Sequence, residues 1–118
     1  MLAFDIEMDE CPSGWKDLIR DLCNELALKL EEQGLLEGYK VLQAKEKYGS
    51  LRWYDVGGSE ETDQIVRKYE ELSNFICCDC GEPAEYVSTG YICPYCEKCV
   101  EKVDNVVVPI DEFYHFWE

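Results

Sequence analysis

The chain has 118 residues, 47% of them apolar, with 26 acidic against 11 basic side chains and a net charge of −15. That length supports one domain with a modest core, and the apolar share excludes a disordered chain. Charge of this sign and size repels phosphate backbones and anionic membranes and attracts basic protein surfaces. No apolar run approaches the roughly 20 residues that cross a bilayer, and the opening MLAFDIEMDE lacks the basic start of a secretory leader. The expectation is a soluble, cytoplasmic chain whose eight cysteines are reduced or metal-bound rather than disulfide-bonded.

Residues 1–12 alternate Leu2, Phe4, Ile6 and Met8 with Asp5, Glu7 and Asp9, the period-two pattern of a half-buried strand, closed by Cys11 and Pro12. Ser13 is placed to cap a helix from about Gly14 to Glu32. Its apolar stripe is Trp15, Leu18, Ile19, Leu22, Cys23, Leu26 and Leu30, which makes Cys23 a core residue. Gly34 ends the helix. Residues 39–56 read as a β-hairpin turning at Gly49-Ser50. Lys40, Lys45, Lys47 and Arg52 against Glu46 make it a basic island, preferred as a solvated face that neutralises nearby acidic helices; the alternative is contact with a small anion or nucleic acid, which would make the chain a zinc-dependent nucleic-acid binder. Tyr48, Trp53 and Tyr54 are expected in the core. After Gly57-Gly58, Ser59 or Thr62 caps a second helix to about Asn74, with Ile65, Val66, Tyr69, Leu72 and Phe75 inward and Asp63 within reach of Arg67.

Six of the eight cysteines fall between Cys77 and Cys99. Cys77-x2-Cys80 and Cys96-x2-Cys99 have the spacing of a four-cysteine zinc site, since two thiolates three residues apart face one metal from a tight turn. Gly81 suits the left-handed backbone of such a knuckle. Cys78 and Cys93 are surplus, and Cys93-x2-Cys96 is a second legal pair. Cys96 with Cys99 is preferred because Pro94 and Tyr95 read as a turn into a short helix near Cys96. Four thiolates saturate one zinc ion, so the site is structural. Between the pairs, a small hairpin turns at Thr89-Gly90. Beyond them come a helical turn to Lys102, a strand over 106–109, and an aromatic tail, DEFYHFWE. That tail closes on the core or, through Phe113 and Trp117, anchors a partner.

Groups for catalysis are sparse. His115 is the single histidine and sits among aromatic residues, Cys78 and Cys93 have no base beside them in sequence, and neither a phosphate-cradling glycine loop nor HExxH occurs. The chain reads as a non-enzyme. The acidic surface remains: Asp17, Asp21 and Glu25 stand in one row at i, i+4 and i+8, while Glu70 and Glu71 lie at the unfavourable end of the second helix. These five are the candidate partner-binding acids.

GWKDLI at 14–19, QAKEKYGSLRWY at 43–54, ICCDCG at 76–81 and GYICPYCEKC at 90–99 together resemble a family of small phage and prophage zinc-binding proteins. Members carry a lysine-glutamate-lysine, aromatic, glycine hairpin ahead of paired CxxC motifs. The resemblance spans roughly residues 12–100 and implies metal pairs at Cys77 with Cys80 and Cys96 with Cys99; Cys78 and Cys93 depart from the pattern. In size, acidity and metal site the chain is also similar to anti-CRISPR proteins that inhibit type II RNA-guided nucleases. That likeness implies a monomer in the host cytoplasm that binds a basic host protein, a CRISPR effector nuclease, and blocks DNA loading, without touching nucleic acid or membrane.

The expected fold is α+β: two amphipathic helices on a small antiparallel sheet with a C-terminal four-cysteine zinc-ribbon-like lobe. Within one domain, 1–75 form the helix-hairpin-helix body, 76–103 the zinc lobe, and 104–118 a strand and aromatic tail closing on the body.

Overall fold

Helix α1 (Lys16–Glu32) forms over the predicted stripe, and Ile19, Leu22, Cys23, Leu26 and Leu30 are buried along its length. The computed structural model describes residues 4–103 and 106–117, apart from the side chains of 114–117. Ser13 does not cap α1. Ser13–Trp15 form a 3-10 turn running into the helix, and the Ser13 hydroxyl donates instead to the Asp79 carbonyl at 3.3 Å. Gly34 follows the helix with φ +71°, as expected of a stop.

The hairpin pairs β1 (Lys40–Lys47) with β2 (Ser50–Val56) in antiparallel register, Lys45 opposite Arg52 and Lys47 opposite Ser50. The turn is therefore Tyr48-Gly49, one residue earlier than expected. Both turn residues have positive φ, 54° and 83°, which gives a two-residue turn whose twist suits the strands. That geometry throws Tyr48 into solvent, and Tyr54 lies on the outer face of the sheet. Of the three aromatics expected in the core only Trp53 is there, beside Ala44 and Leu51 on the inner face.

Helix α2 (Glu60–Ser73) starts at Ser59 with a capping box: the Ser59 hydroxyl accepts from the Thr62 amide, and the Thr62 hydroxyl accepts from the Ser59 amide. Ile65, Val66 and Tyr69 join the core as expected, whereas Leu72 and Phe75 remain about half exposed. Buried on α2 instead are two polar residues, Thr62 and Ser73. The Ser73 hydroxyl accepts the Leu51 amide at 2.8 Å and the Glu70 carboxylate accepts the Trp53 amide at 3.0 Å. Helix α2 thus closes the edge of β2 with side chains where a third strand would otherwise pair.

Residues 4–12 form no strand. Their burial alternates as the sequence suggests, with Phe4, Ile6 and Met8 half-buried against the core and Asp5, Glu7 and Asp9 exposed. Alternation alone does not make a strand, and the segment meets β1 through one backbone bond, from the Glu46 amide to the Glu10 carbonyl at 3.0 Å.

The second lobe is a three-stranded antiparallel sheet in the order β4-β3-β5: β4 (Pro94–Tyr95), β3 (Tyr86–Ser88) and β5 (Val107–Pro109). Pro94 and Tyr95 are a strand, not a turn. The expected hairpin forms between β3 and β4, and a 3-10 turn follows over Cys99–Lys102. Where the sequence suggests an aromatic tail, a third helix, α3 (Ile110–Trp117), leaves β5 directly. Ile110 is buried with Ala84 and Val87, and Phe113 packs against them, so the chain after residue 106 builds onto the cysteine lobe.

The lobes meet at the start of α1. The Gly14 amide donates to the Cys78 carbonyl at 2.9 Å, and the fully buried Trp15 indole donates to the Ile76 carbonyl at 3.1 Å. A Cβ on Gly14 would stand 2.1 Å from the Cys77 carbonyl oxygen, so only glycine fits. Gly14→Ala is expected to cost on the order of 3 kcal/mol or more, because the obstruction is backbone on both sides. Gly38→Ala adds a methyl that meets nothing within 4 Å and should stay within about 0.5 kcal/mol. Urea melts of both variants check the contrast; equal stabilities would show that the contact yields freely.

Candidate metal centre

Two turns bring four sulfurs together. In the first, Cys77 follows the bridge between Ile76 and Pro83, its amide donates to the Glu82 carbonyl at 2.7 Å, and its carbonyl accepts the Gly81 amide at 3.0 Å. Gly81 closes this knuckle with φ +88°, as the sequence suggested. In the second, β4 delivers Cys96, and the turn 96–99 brings Cys99 back beside it. The Sγ atoms of Cys77, Cys80, Cys96 and Cys99 all lie within 4.8 Å of one another, and the Cys80 and Cys96 sulfurs are 3.5 Å apart. Metal–sulfur bonds of 2.3 Å in a tetrahedron place sulfurs about 3.8 Å apart, so the quartet fits one ion. Cys77, Cys96 and Cys99 are buried and Cys80 is exposed.

The electrostatics suit a cation. The Cys99 amide donates to the Cys96 sulfur at 3.5 Å, and this bond, ahead of the sulfurs nearby, lowers the Cys96 thiol from 9.0 to about 7. Burial first, and then Cys96, Cys80 and Cys77 beside it, push the Cys99 thiol the other way. Several thiolates crowded together need a positive charge among them to ionise together. These four cysteines are positioned to hold a single metal ion, and four sulfur donors in a closed set suit zinc in a structural role.

Cys78 and Cys93 stay outside the quartet and face each other. A hydrogen bond from Cys93, the largest influence, lowers the Cys78 thiol, and the same contact raises that of Cys93. Cys23 is fully buried in the main core. Cys93, the alternative partner of Cys96, lies outside the sulfur cluster, at the other end of β4.

The candidate partner-binding acids do not form one face. Asp17 and Asp21 are exposed on α1, flank Arg20 at 3.2 and 3.8 Å, and line a groove with Cys80 and Glu82 beside the first knuckle. Glu25 is taken up internally: it accepts from Lys68 at 2.7 Å and from the Tyr69 hydroxyl at 3.0 Å, joining α1 to α2. Glu70 points inward to the Trp53 amide, and burial raises its carboxyl; its place at the end of α2 therefore has a structural reason. Glu71 is exposed near Arg52 and Arg67. Phe113 sits half-buried in the second lobe, while the side chains of His115 and Trp117 lie outside the described residues. Among the described residues no ion pair joins Asp63 to Arg67.

Comparisons with protein-family models, with curated proteins and with solved structures find no match to this chain. Among the described residues no helix is long and apolar enough to cross a membrane.

The purified protein is expected to carry one zinc per chain. Cys80→Ser or Cys96→Ser should release it and lower the melting temperature sharply, since structural zinc contributes on the order of 10 kcal/mol. Cys78→Ser should keep the full metal content, and metal analysis of the three variants tests the assignment. A second expectation concerns acid. The Lys68 hydrogen bond, the leading cause, holds the Glu25 carboxyl below 4.5. Its stabilising contribution is therefore present above the unfolded value and lost as pH falls through the lowered folded value. Glu25→Gln should be less stable than the parent at neutral pH, with the gap closing as acid protonates the Glu25 carboxyl below its ordinary range; an unchanged gap on acidification would contradict the pairing.

Proposed function

We propose that this chain is a non-catalytic, zinc-stabilised inhibitor that engages a basic protein surface, and that its target is the positively charged nucleic-acid channel of a type II CRISPR effector nuclease. The observation that carries the reading is an acidic excess left on the surface. Of 26 carboxylates in the sequence, the ion pairs among the described residues engage only Asp17, Asp21, Glu25 and Glu32. Asp17 and Asp21 stand beside the cysteine knuckle, at 79% and 60% side-chain exposure, where a metal would fix their backbone support. Such a surface competes with phosphate for a cationic channel and speeds encounter with it. Similarity in size, acidity and cysteine site to anti-CRISPR proteins is what favours the nuclease as target. Zinc acts here by holding shape, and inhibition is stoichiometric.

A second reading, contact with nucleic acid through the hairpin, is favoured by one finding. Lys40, Lys45, Lys47 and Arg52 make no ion pair among the described residues, and of the four it is Arg52 whose charge reaches α2, at Glu70. Lys45 and Lys47 instead lie 5.9 and 5.7 Å over the exposed rings of Tyr54 and Tyr48.

One assay separates the two. The protein is titrated into a guide-loaded type II nuclease before or after target DNA. The first reading expects DNA binding to be lost only when the protein goes in first, with Asp17→Lys/Asp21→Lys weakening inhibition about tenfold or more and Lys45→Glu/Lys47→Glu preserving it. Salt-sensitive retention of DNA by the protein alone, abolished in the Lys45/Lys47 variant, would establish the second. Indifference of every tested nuclease to order and dose would overturn the target.

A further inference from the structure

Four cysteines lie outside the quartet, and two of them are arranged as a pair. The Cys78 amide donates to the Pro94 carbonyl at 3.0 Å, which sets the first knuckle against the start of β4. Cys93 and Tyr95 stand at alternate positions there and share a face of the extended chain. That face is turned toward Cys78: the Cys78 and Cys93 thiols are within hydrogen-bond reach of each other and of the Tyr95 hydroxyl. Both backbones are held. The Cys78 carbonyl accepts the Gly14 amide, the Cys93 amide donates to the Ser88 hydroxyl at 3.1 Å, and the Cys93 carbonyl accepts the Ser88 amide at 3.0 Å. Cys78 is half-buried, and Cys93, though 4% exposed, lines an open cavity of about 300 Å³ with Cys11, Glu10 and Glu46. The other two thiols have no such arrangement. Cys23 is fully buried in the main core, and the Cys11 thiol is influenced by Glu10 and Glu46 and by no sulfur among the described residues.

We propose that Cys78 and Cys93 are a redox-active dithiol, which a small uncharged peroxide closes to a disulfide while the four metal ligands stay reduced, and that this bond tethers the two cysteine turns around the ion. The chemistry balances with the peroxide as the only co-reactant. The more exposed Cys78 sulfur attacks one peroxide oxygen, the O–O bond breaks, and water leaves a sulfenic acid on Cys78. The Cys93 sulfur then attacks the Cys78 sulfur, the S–S bond forms, and the hydroxyl departs with the Cys93 proton as a second water. Two electrons pass from the sulfur pair to the peroxide. Selectivity has two sources. The ligand sulfurs are committed to the metal, and Asp79 beside Cys78 with Glu46 beside Cys93 repels an anionic oxidant such as glutathione disulfide. The bond would close a loop of about 15 residues from the first knuckle to the strand that delivers Cys96. The turns would then stay together without relying on the metal alone.

The test treats the full-length, zinc-loaded protein with a small excess of hydrogen peroxide, maps disulfides by alkylation and peptide mass, and follows zinc with a chromogenic chelator. Expected are one Cys78–Cys93 disulfide, reopened by dithiothreitol, unchanged zinc content, and transfer of zinc to EDTA about tenfold slower after oxidation. Glutathione disulfide at the same concentration should react about tenfold more slowly or less. Cys93→Ser should keep its zinc, form no disulfide, trap the Cys78 sulfenic acid with dimedone, and show no change in zinc transfer on oxidation. Cys11→Ser should oxidise as the parent does. Zinc release with disulfides inside the quartet, a Cys11–Cys93 bond, or Cys78 and Cys93 both still open to alkylation would overturn the dithiol. Equal transfer rates before and after oxidation would overturn the tether.

Discussion

The contact between Gly14 and the first cysteine knuckle is the constraint on which the two lobes depend. Gly14 and Gly81 approach so closely that a Cβ on Gly81 would lie 2.8 Å from the Gly14 carbonyl oxygen. The Gly14 amide bonds the Cys78 carbonyl, and one residue later Trp15 fills the main core while its indole bonds the Ile76 carbonyl. One dipeptide therefore joins the helical core to the metal-binding turn with backbone hydrogen bonds, which tolerate little displacement. Anything that loosens the knuckle, including loss of the ion, acts directly on the first turn of α1. A metal held by the four cysteines would therefore act as part of the core and not as an appendage to it.

The same economy of backbone partners explains the polar interior of α2. A two-stranded sheet is marginal by itself in water, and it has two edges to close. Ser73 and Glu70 close one of them by accepting the Leu51 and Trp53 amides. The raised Glu70 carboxyl shows that this placement carries a desolvation cost, offset by the hydrogen bond to an otherwise unsatisfied donor. Thr62 is buried for a related reason, because it completes the cap of the helix that brings Glu70 and Ser73 to the strand.

Much of this was legible in the sequence, and where it was not the reasons are specific. The α1 stripe and the spacing of the cysteine pairs are local, periodic signals that survive folding unchanged. Cys96 and Cys99 lie in the sulfur cluster and Cys93 does not, but β4, and not the helix that the sequence suggests, presents Cys96. Residues 4–8 alternate as a strand does, but periodicity records which side chains are buried and not whether a neighbouring strand is there to pair. Tyr48 looked like a core aromatic because nothing in its chemistry announces a left-handed turn position. Glu70 reads as a partner-binding acid because its task depends on a strand about 17 residues away in sequence. The aromatic run after Pro109 hid a helix, since closely spaced aromatic residues mask the polar face that marks one.

Charge follows the same division between what is internal and what is left over. Glu25 and Glu70, both candidates for partner contact by sequence, are occupied in joining α1 to α2 and α2 to β2. Acids without such an internal task remain in many places, and two groups bear on the argument: Asp17 and Asp21 beside the knuckle, and Asp5, Glu7 and Asp9 along the segment next to β1. Both groups adjoin backbone that is already fixed, by the metal turn in one case and by the hairpin in the other. Carboxylates held on rigid support lose little further freedom when a cationic partner arrives. The hairpin's two edges are closed by different means: Ser73 and Glu70 of α2 accept the amides of β2, while on β1 the Glu46 amide meets the Glu10 carbonyl and Ala44 is buried.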